Sequence, residues 1–226
     1  MAAKSLLLDI DGVIIRDRLL LNHVNDNCVK YVQSKMPECS NPRLLNKTLY
    51  LAHGHTARGL TNTFQVCTKD FNNFVYDKRL IDHLSEIIYS TDFQKEASEI
   101  HDLARNGWAV TLFTNAPIEW ARPIANAIGD DIFVACPGSD VNQSPLKPEA
   151  SAFTRFSKHH SHIYVDDSLK NLGTSRWLPN WHPVYFNEGE HEVRPWCPNV
   201  SSIWEMCLYV NSVDQWIVDN HEVKKF

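Results

Sequence analysis

The chain contains no apolar run that approaches the roughly 20 residues a membrane-spanning helix needs. It has no C-x-x-C pair, no excess of basic charge, no internal repeat and no low-complexity tract. Each absence closes a class. Only three leucines, Leu6 to Leu8, precede Asp9, too short an apolar stretch for a signal peptide. Six scattered cysteines (Cys28, Cys39, Cys67, Cys136, Cys197 and Cys207) fit reduced thiols better than a disulfide framework at this length. A net charge of -5 and a pI near 6.1 supply no broad positive field, which argues against nucleic acid as a polyanionic partner. A small anionic substrate needs only a local cation and stays open. The expectation is a soluble, cytoplasmic protein.

What is present is ordinary globular material: 226 residues, 43% hydrophobic and 22% charged, enough for one large domain or a core with a modest insertion. The most informative stretch is Leu6-Leu7-Leu8-Asp9-Ile10-Asp11-Gly12-Val13-Ile14-Ile15. Its leucines read as a strand buried on both faces. Asp9 and Asp11, spaced i, i+2, share one side of an extended chain and emerge together at the strand's carboxyl end. Two carboxylates that close raise each other's pKa unless a cation or a reaction calls for them. Taken alone, Asp-x-Asp-Gly fits a polar turn equally well.

Downstream, residues 17–92 read as helices only. One spans about 22–36 with Val24, Cys28 and Val32 on a face, and another opens at Asn41-Pro42 and runs to about Ala52. Shorter pieces follow at 71–76 and 81–88. His53, His55 and Arg58 cluster around Gly54 and Gly59. From Phe93 strands and helices alternate. There are amphipathic helices at 93–105 and 118–128, the second carrying Pro123, and a helix after Pro148 to about Phe156. Strands fall at 108–113, 132–135, 162–165 and 183–186, with a helix from Ser168 to about Arg176. This alternation predicts an α/β fold: a doubly wound, mostly parallel sheet, with core residues 1–16 and 93–226 and a helical cap at 17–92. The seven tryptophans read as packing, and the tail with Trp196, Trp204, Met206, Tyr209, Trp216 and Ile217 should fold back on the core.

Strand ends of a parallel sheet gather at one edge. There the pattern places Asp9 and Asp11, Thr114 and Asn115, Lys147 ahead of a helix, and Asp166 and Asp167. This order resembles the haloacid dehalogenase-like hydrolase superfamily, whose four motifs correspond to Asp9-Ile10-Asp11-Gly12-Val13, Thr111-Leu112-Phe113-Thr114-Asn115, Leu146-Lys147-Pro148, and Tyr164-Val165-Asp166-Asp167-Ser168-Leu169-Lys170-Asn171. The superfamily's helical type-1 cap belongs where residues 17–92 lie.

The resemblance implies that Asp9 is a nucleophile forming an aspartyl-phosphate. Asp11 is then the acid that protonates the leaving oxygen and activates water, with Thr114 and Lys147 on the phosphoryl oxygens. It implies Mg²⁺ held by Asp9, the Asp11 carbonyl and Asp167, hard oxygen ligands suited to that ion. Asp166 replaces the family's usual small residue and is read as orienting Lys147 or the metal's waters. Asn171 stands where a second acid is common. Dehalogenases lack the second Asp of the first motif, so Asp11 argues for a phosphatase; a phosphomutase keeps both acids.

In the cap, Gly54-His55-Thr56-Ala57-Arg58-Gly59-Leu60 and Asp70-Phe71-Asn72-Asn73-Phe74-Val75-Tyr76 resemble pyrimidine 5'-nucleotidase-like members. That second likeness implies a nucleoside 5'-monophosphate, a pyrimidine one by preference, as substrate, with His53, His55 and Arg58 in contact with it; Asn115 of the second motif is a further expected substrate contact. A phosphosugar or other small phosphometabolite is the alternative, and a non-catalytic binding protein on the same fold a further one. A zinc site from His53, His55 and the distant His159, His160 and His162 lacks the cysteine or carboxylate to complete it. Those three distant histidines are expected on a solvated turn.

Overall fold

A computed structural model describes residues 4–189 and 196–223, and of 214–223 the backbone alone. Six strands, β1 (Lys4–Leu8), β2 (Trp108–Phe113), β3 (Phe133–Ala135), β4 (Ser161–Asp166), β5 (Trp181–Phe186) and β6 (Asn199–Val200), form one sheet in the order β3-β2-β1-β4-β5-β6. Every pairing is parallel. The order turns back between β1 and β4, and α/β sheets bind ligands at the carboxyl ends beside such a switch point.

The strands are apolar because both faces are covered. Leu6, Leu8, Val110, Leu112, Ile163 and Val165 face the larger core, with Trp120 and Ile124 across from them. Leu7, Phe113 and Tyr164 face a second cluster containing Phe153 and Leu172. Strand alternation therefore puts Asp9 on the face of Leu7, and Asp166 on that of Tyr164.

Residues 17–92 hold helices α1 (Arg18–Lys35), α2 (Pro42–His53), α3 (Thr56–Phe64), α4 (Thr68–Val75), α5 (Lys78–Ile88) and the start of α6 (Thr91–Arg105). Their beginnings follow from capping. Asp17, Asn41, Asp77 and Ser90 accept backbone N–H groups three residues on. Asp17 is why α1 starts four residues earlier than its apolar periodicity suggests. Gly54, at φ 74, ends α2. The remaining helices are α7 (Ile118–Ile128), which runs through Pro123, α8 (Ala150–Phe153), α9 (Leu169–Ser175) and α10 (Ile203–Val223).

The hydrophobic clusters cross the boundary drawn at residues 17 and 92. Leu20, Leu80, Leu84 and Ile88 pack into the larger core, whereas Val141 and Leu146 join Tyr31, Leu49, Leu60 and Phe71. Sequence patterning missed β6, which is two residues long, and overextended α8, which stops at Phe153. Met206 is buried and Tyr209 packs on the core as expected, while Trp204 is 59% exposed. Trp216 and Ile217 lie outside the described side chains. His162 is corrected outright: it sits within β4, buried, its ring 4.7 Å from that of Trp181, because strand alternation turns it inward. No described helix is long and apolar enough to cross a membrane.

Candidate active site

Asp9 follows β1 directly, and its N–H still donates to Val165 O (2.9 Å), so the carboxylate inherits the strand's position. One oxygen, Oδ1, accepts from Ile10 N at 2.7 Å and lies 2.9 Å from Lys147 Nζ. Burial raises the Asp9 pKa well above the usual carboxylate range, and the nearby Asp166 and Asp167 add to this while Lys147 opposes it. Asp11, two residues on, is pushed up to about 6 by burial, against a hydrogen bond from Trp120 Nε1 (2.9 Å) that favours the charged form.

Gly12 turns the chain between them and Val13 at φ 90. A Cβ there would fall 2.2 Å from Asp167 Oδ2, so only glycine lets the fourth motif approach the first this closely.

Lys147 is the hub. It is 1% exposed, its Nζ bridging Asp9 Oδ1 and Asp166 Oδ2 (2.8 Å), with Phe113 and Tyr164 rings 5.2 and 5.7 Å away. Burial alone would lower its pKa, but the two carboxylates outweigh that and keep the ammonium charged. The loop bearing it is pinned by Asn115, whose Nδ2 donates to Lys147 O (2.8 Å) and whose Oδ1 accepts Lys147 N (3.0 Å). Asn115 also lines the cleft, and its amide keeps a second N–H beyond the one that clamps this backbone.

Thr114, buried after β2, accepts Ala116 N at its Oγ1 (3.0 Å), leaving the hydroxyl proton to donate. Asp166 is saturated: beyond Lys147 it accepts from Tyr164 OH, Ser168 N and Asn171 Nδ2. Of the two readings of Asp166, this geometry favours the orienter of Lys147. Asp167 opens to the cleft, its pKa pushed to about 7 by desolvation and by Asp166.

One oxygen each from Asp9, Asp166 and Asp167 lie within 4.8 Å of one another, the single such group among the described residues. Hard carboxylate oxygens held this close together fit a divalent cation. Since Asp166 is occupied by its other partners, Asp9 and Asp167 are the carboxylates free to bind it.

Above these groups is a cavity of about 260 Å³. Its cap wall comes from Cys28, Tyr50, His55, Phe71 and Tyr76. His55 caps α3, Nδ1 accepting Ala57 N at 3.1 Å, and burial with nearby Arg58 lowers its pKa to about 4, so the ring is neutral near pH 7. His53 and Arg58 do not line this cavity. His53 packs against Gly59. The Arg58 guanidinium donates to Val141 O (2.7 Å) and Ser144 O (2.5 Å) and pairs with Glu149. It ties the cap to the loop ahead of Lys147.

The sequence patterns assign no site role to Trp120, Tyr164, Tyr50 or Tyr76, although Tyr164 lies in the fourth motif and Tyr76 in the cap segment named above. Only Tyr164 carried a readable signal: it stands two residues before Asp166 in a strand, hence on the same face.

No protein-family model matches the chain, and no curated protein matches it. Solved structures do match over nearly its whole length. A HAD phosphatase from Thermococcus onnurineus is 16% identical over 92% of this chain and 97% of that one, with a TM-score of 0.56. A β-phosphoglucomutase from Clostridium difficile is 17% identical over 96% and 99%, with a TM-score of 0.58. The fold is that of the haloacid dehalogenase-like hydrolases. An L-2-haloacid dehalogenase, 10% identical over 93% of this chain and all of that one, reaches a TM-score of 0.50. These three named activities differ, so the haloacid dehalogenase-like fold leaves the reaction to the site.

Proposed function

We propose that the protein is a Mg²⁺-dependent phosphomonoester hydrolase of the cytoplasm acting on a nucleoside 5'-monophosphate, a pyrimidine one by preference. The observation that carries the hydrolase reading is Asp11: a second carboxyl in the same cleft as Asp9, with its pKa near 6, able both to give and to take a proton. An Asp9 oxygen attacks phosphorus as the bond to the leaving oxygen breaks. That oxygen takes the bond's electron pair and the Asp11 proton and departs as an alcohol. Asp11, now a carboxylate, removes a proton from water, whose oxygen displaces Asp9 from phosphorus and releases phosphate. Lys147 and the Thr114 hydroxyl face the charge on the phosphoryl oxygens. Asp9, Asp167 and the Asp11 carbonyl would hold the cation, which when bound offsets the clustered charge and polarises the phosphoryl group.

The cap wall supports an uncharged, partly aromatic leaving group. Tyr50, Phe71, Tyr76 and neutral His55 offer ring faces and hydrogen bonds there, and Arg58 is engaged elsewhere. All six cysteines are unpaired, in keeping with a reducing compartment.

The test is turnover of uridine 5'-monophosphate, a phosphosugar and 4-nitrophenyl phosphate with Mg²⁺, with and without chelator. Activity that survives chelation, or that Asp9→Asn retains, overturns the mechanism. A phosphosugar preferred over the nucleotide overturns the substrate assignment.

A further inference from the structure

Asp9 is held by an ion pair, whereas Asp11 makes none among the described residues. Its carboxylate is steadied by a residue that belongs to no motif. Trp120, fully buried on α7, donates Nε1–H to Asp11 Oδ1 at 2.9 Å, and no other described side chain hydrogen-bonds that carboxylate. The indole is fully buried within the large core, and the Tyr76 ring of the cap packs on it with centroids 5.3 Å apart.

An indole nitrogen donates only and does not give up its proton. Oδ1 is thus committed as an acceptor, and Oδ2 is the oxygen left to carry a transferable proton. We infer that Trp120 is the positioning residue of the acid–base catalyst, its N–H fixing one oxygen of Asp11 so that the other faces the leaving oxygen and then the attacking water. A carboxyl on a glycine-bearing turn gains orientation this way that the backbone alone does not supply, and orientation is a large share of proton-transfer efficiency. The inference rests on the phosphohydrolase reading above.

The experiment compares kcat/KM on two esters. 4-Nitrophenyl phosphate has a leaving group that departs as a stable anion, and uridine 5'-monophosphate has an alkoxide that needs the proton. Trp120→Phe should lower kcat/KM on the nucleotide about tenfold more than on the nitrophenyl ester, since general acids contribute roughly 10²- to 10⁴-fold. Benzothienylalanine at position 120, with sulfur in place of N–H in a ring of the same shape, should reproduce that ratio even if Phe loosens the core.

Asp11→Asn is the control, and adding Trp120→Phe to it should not widen the ratio further. Equal losses on both esters for the two position-120 variants, with Asp11→Asn still discriminating, overturn the positioning role alone. If Asp11→Asn does not discriminate, or the wild type turns over neither ester, the phosphohydrolase reading fails and takes this inference with it.

Discussion

On the core side of the cleft, Asp9, Thr114 and Asp166 stand at or one residue past the carboxyl ends of three adjacent, hydrogen-bonded strands, β1, β2 and β4. On the cap side, Cys28, Tyr50, His55 and Phe71 come from α1, α2, the cap of α3 and α4. The sheet places its groups by hydrogen-bonded register: moving one strand by a residue would turn its whole apolar set out of the core. The cap places its groups by how four helices pack, and helix packing tolerates substitution that keeps volume. Charge follows the same division, with a lysine and four carboxylates below and neutral rings above. The lower wall gathers the charged groups and the upper wall the neutral ones, and the two are joined where Tyr76 packs on Trp120.

The comparison is broken most directly at Asp9. Asp9→Asn should keep the fold and lower kcat by roughly 10⁴-fold or more, as loss of a nucleophile does. A stopped assay on the aryl ester with circular dichroism measures both, and a variant retaining a tenth of the activity would show the sheet edge to be scaffold only.

Lys147→Met comes next. It leaves Asp9 and Asp166 buried without their counter-charge, a loss of about 3–5 kcal/mol in denaturant unfolding. That loss should shrink at low pH, where Asp9 takes up a proton. A loss that does not vary with pH would mean that packing of the buried lysine side chain outweighs its charge.

His55 sharpens the cap side. Its ring stays neutral in the folded protein down to about pH 4 but takes a proton near 6.5 when unfolded. The unfolded state therefore binds more protons between those values, and stability falls as pH drops through that window, by about 3 kcal/mol in all. Asp11 and Asp167, raised to about 6 and about 7, act oppositely, adding stability as pH falls through those values. The measurement is accordingly the difference between wild type and His55→Asn, whose side chain can still cap α3. Parallel pH profiles for the two would contradict a buried neutral ring.

The smallest effect is at Arg58. Arg58→Ala should cost about 2 kcal/mol, from its carbonyl bonds rather than its part-exposed pairing with Glu149. Amide exchange should quicken in residues 137–149. A rise in KM with exchange unchanged would return Arg58 to the substrate.

The sheet-edge residues were legible in the sequence because each sits next to a short apolar run whose end is visible as a change in residue type. Arg58 and His53 were not, since Gly54 and Gly59 beside them mark close approach without saying to what. The glycines serve the packing of α2 on α3 and the docking of the α2 terminus near Lys147 O. The Asn115 amide's attachment to the Lys147 backbone depends on a loop 32 residues away. His162 was misplaced because a histidine-rich run looks solvated until the register of β4 on β5 sets it against Trp181.

What the sequence determined alone is the alternation of strands and helices, the helical insertion, and the meeting of Asp9, Asp11, Thr114, Lys147 and Asp167 at one edge. The strand-end residues follow from periodicity and from their position beside an apolar run, whereas Lys147, 12 residues past β3, is placed by the motif resemblance and the helix after it. The tertiary structure alone decided that Asp166 belongs to Lys147, that Trp120 holds Asp11, that Arg58 ties the cap down, and that the cap wall is neutral. Those outcomes turn on contacts between residues far apart in the chain, and on the burial that sets their charge, neither of which any local pattern encodes.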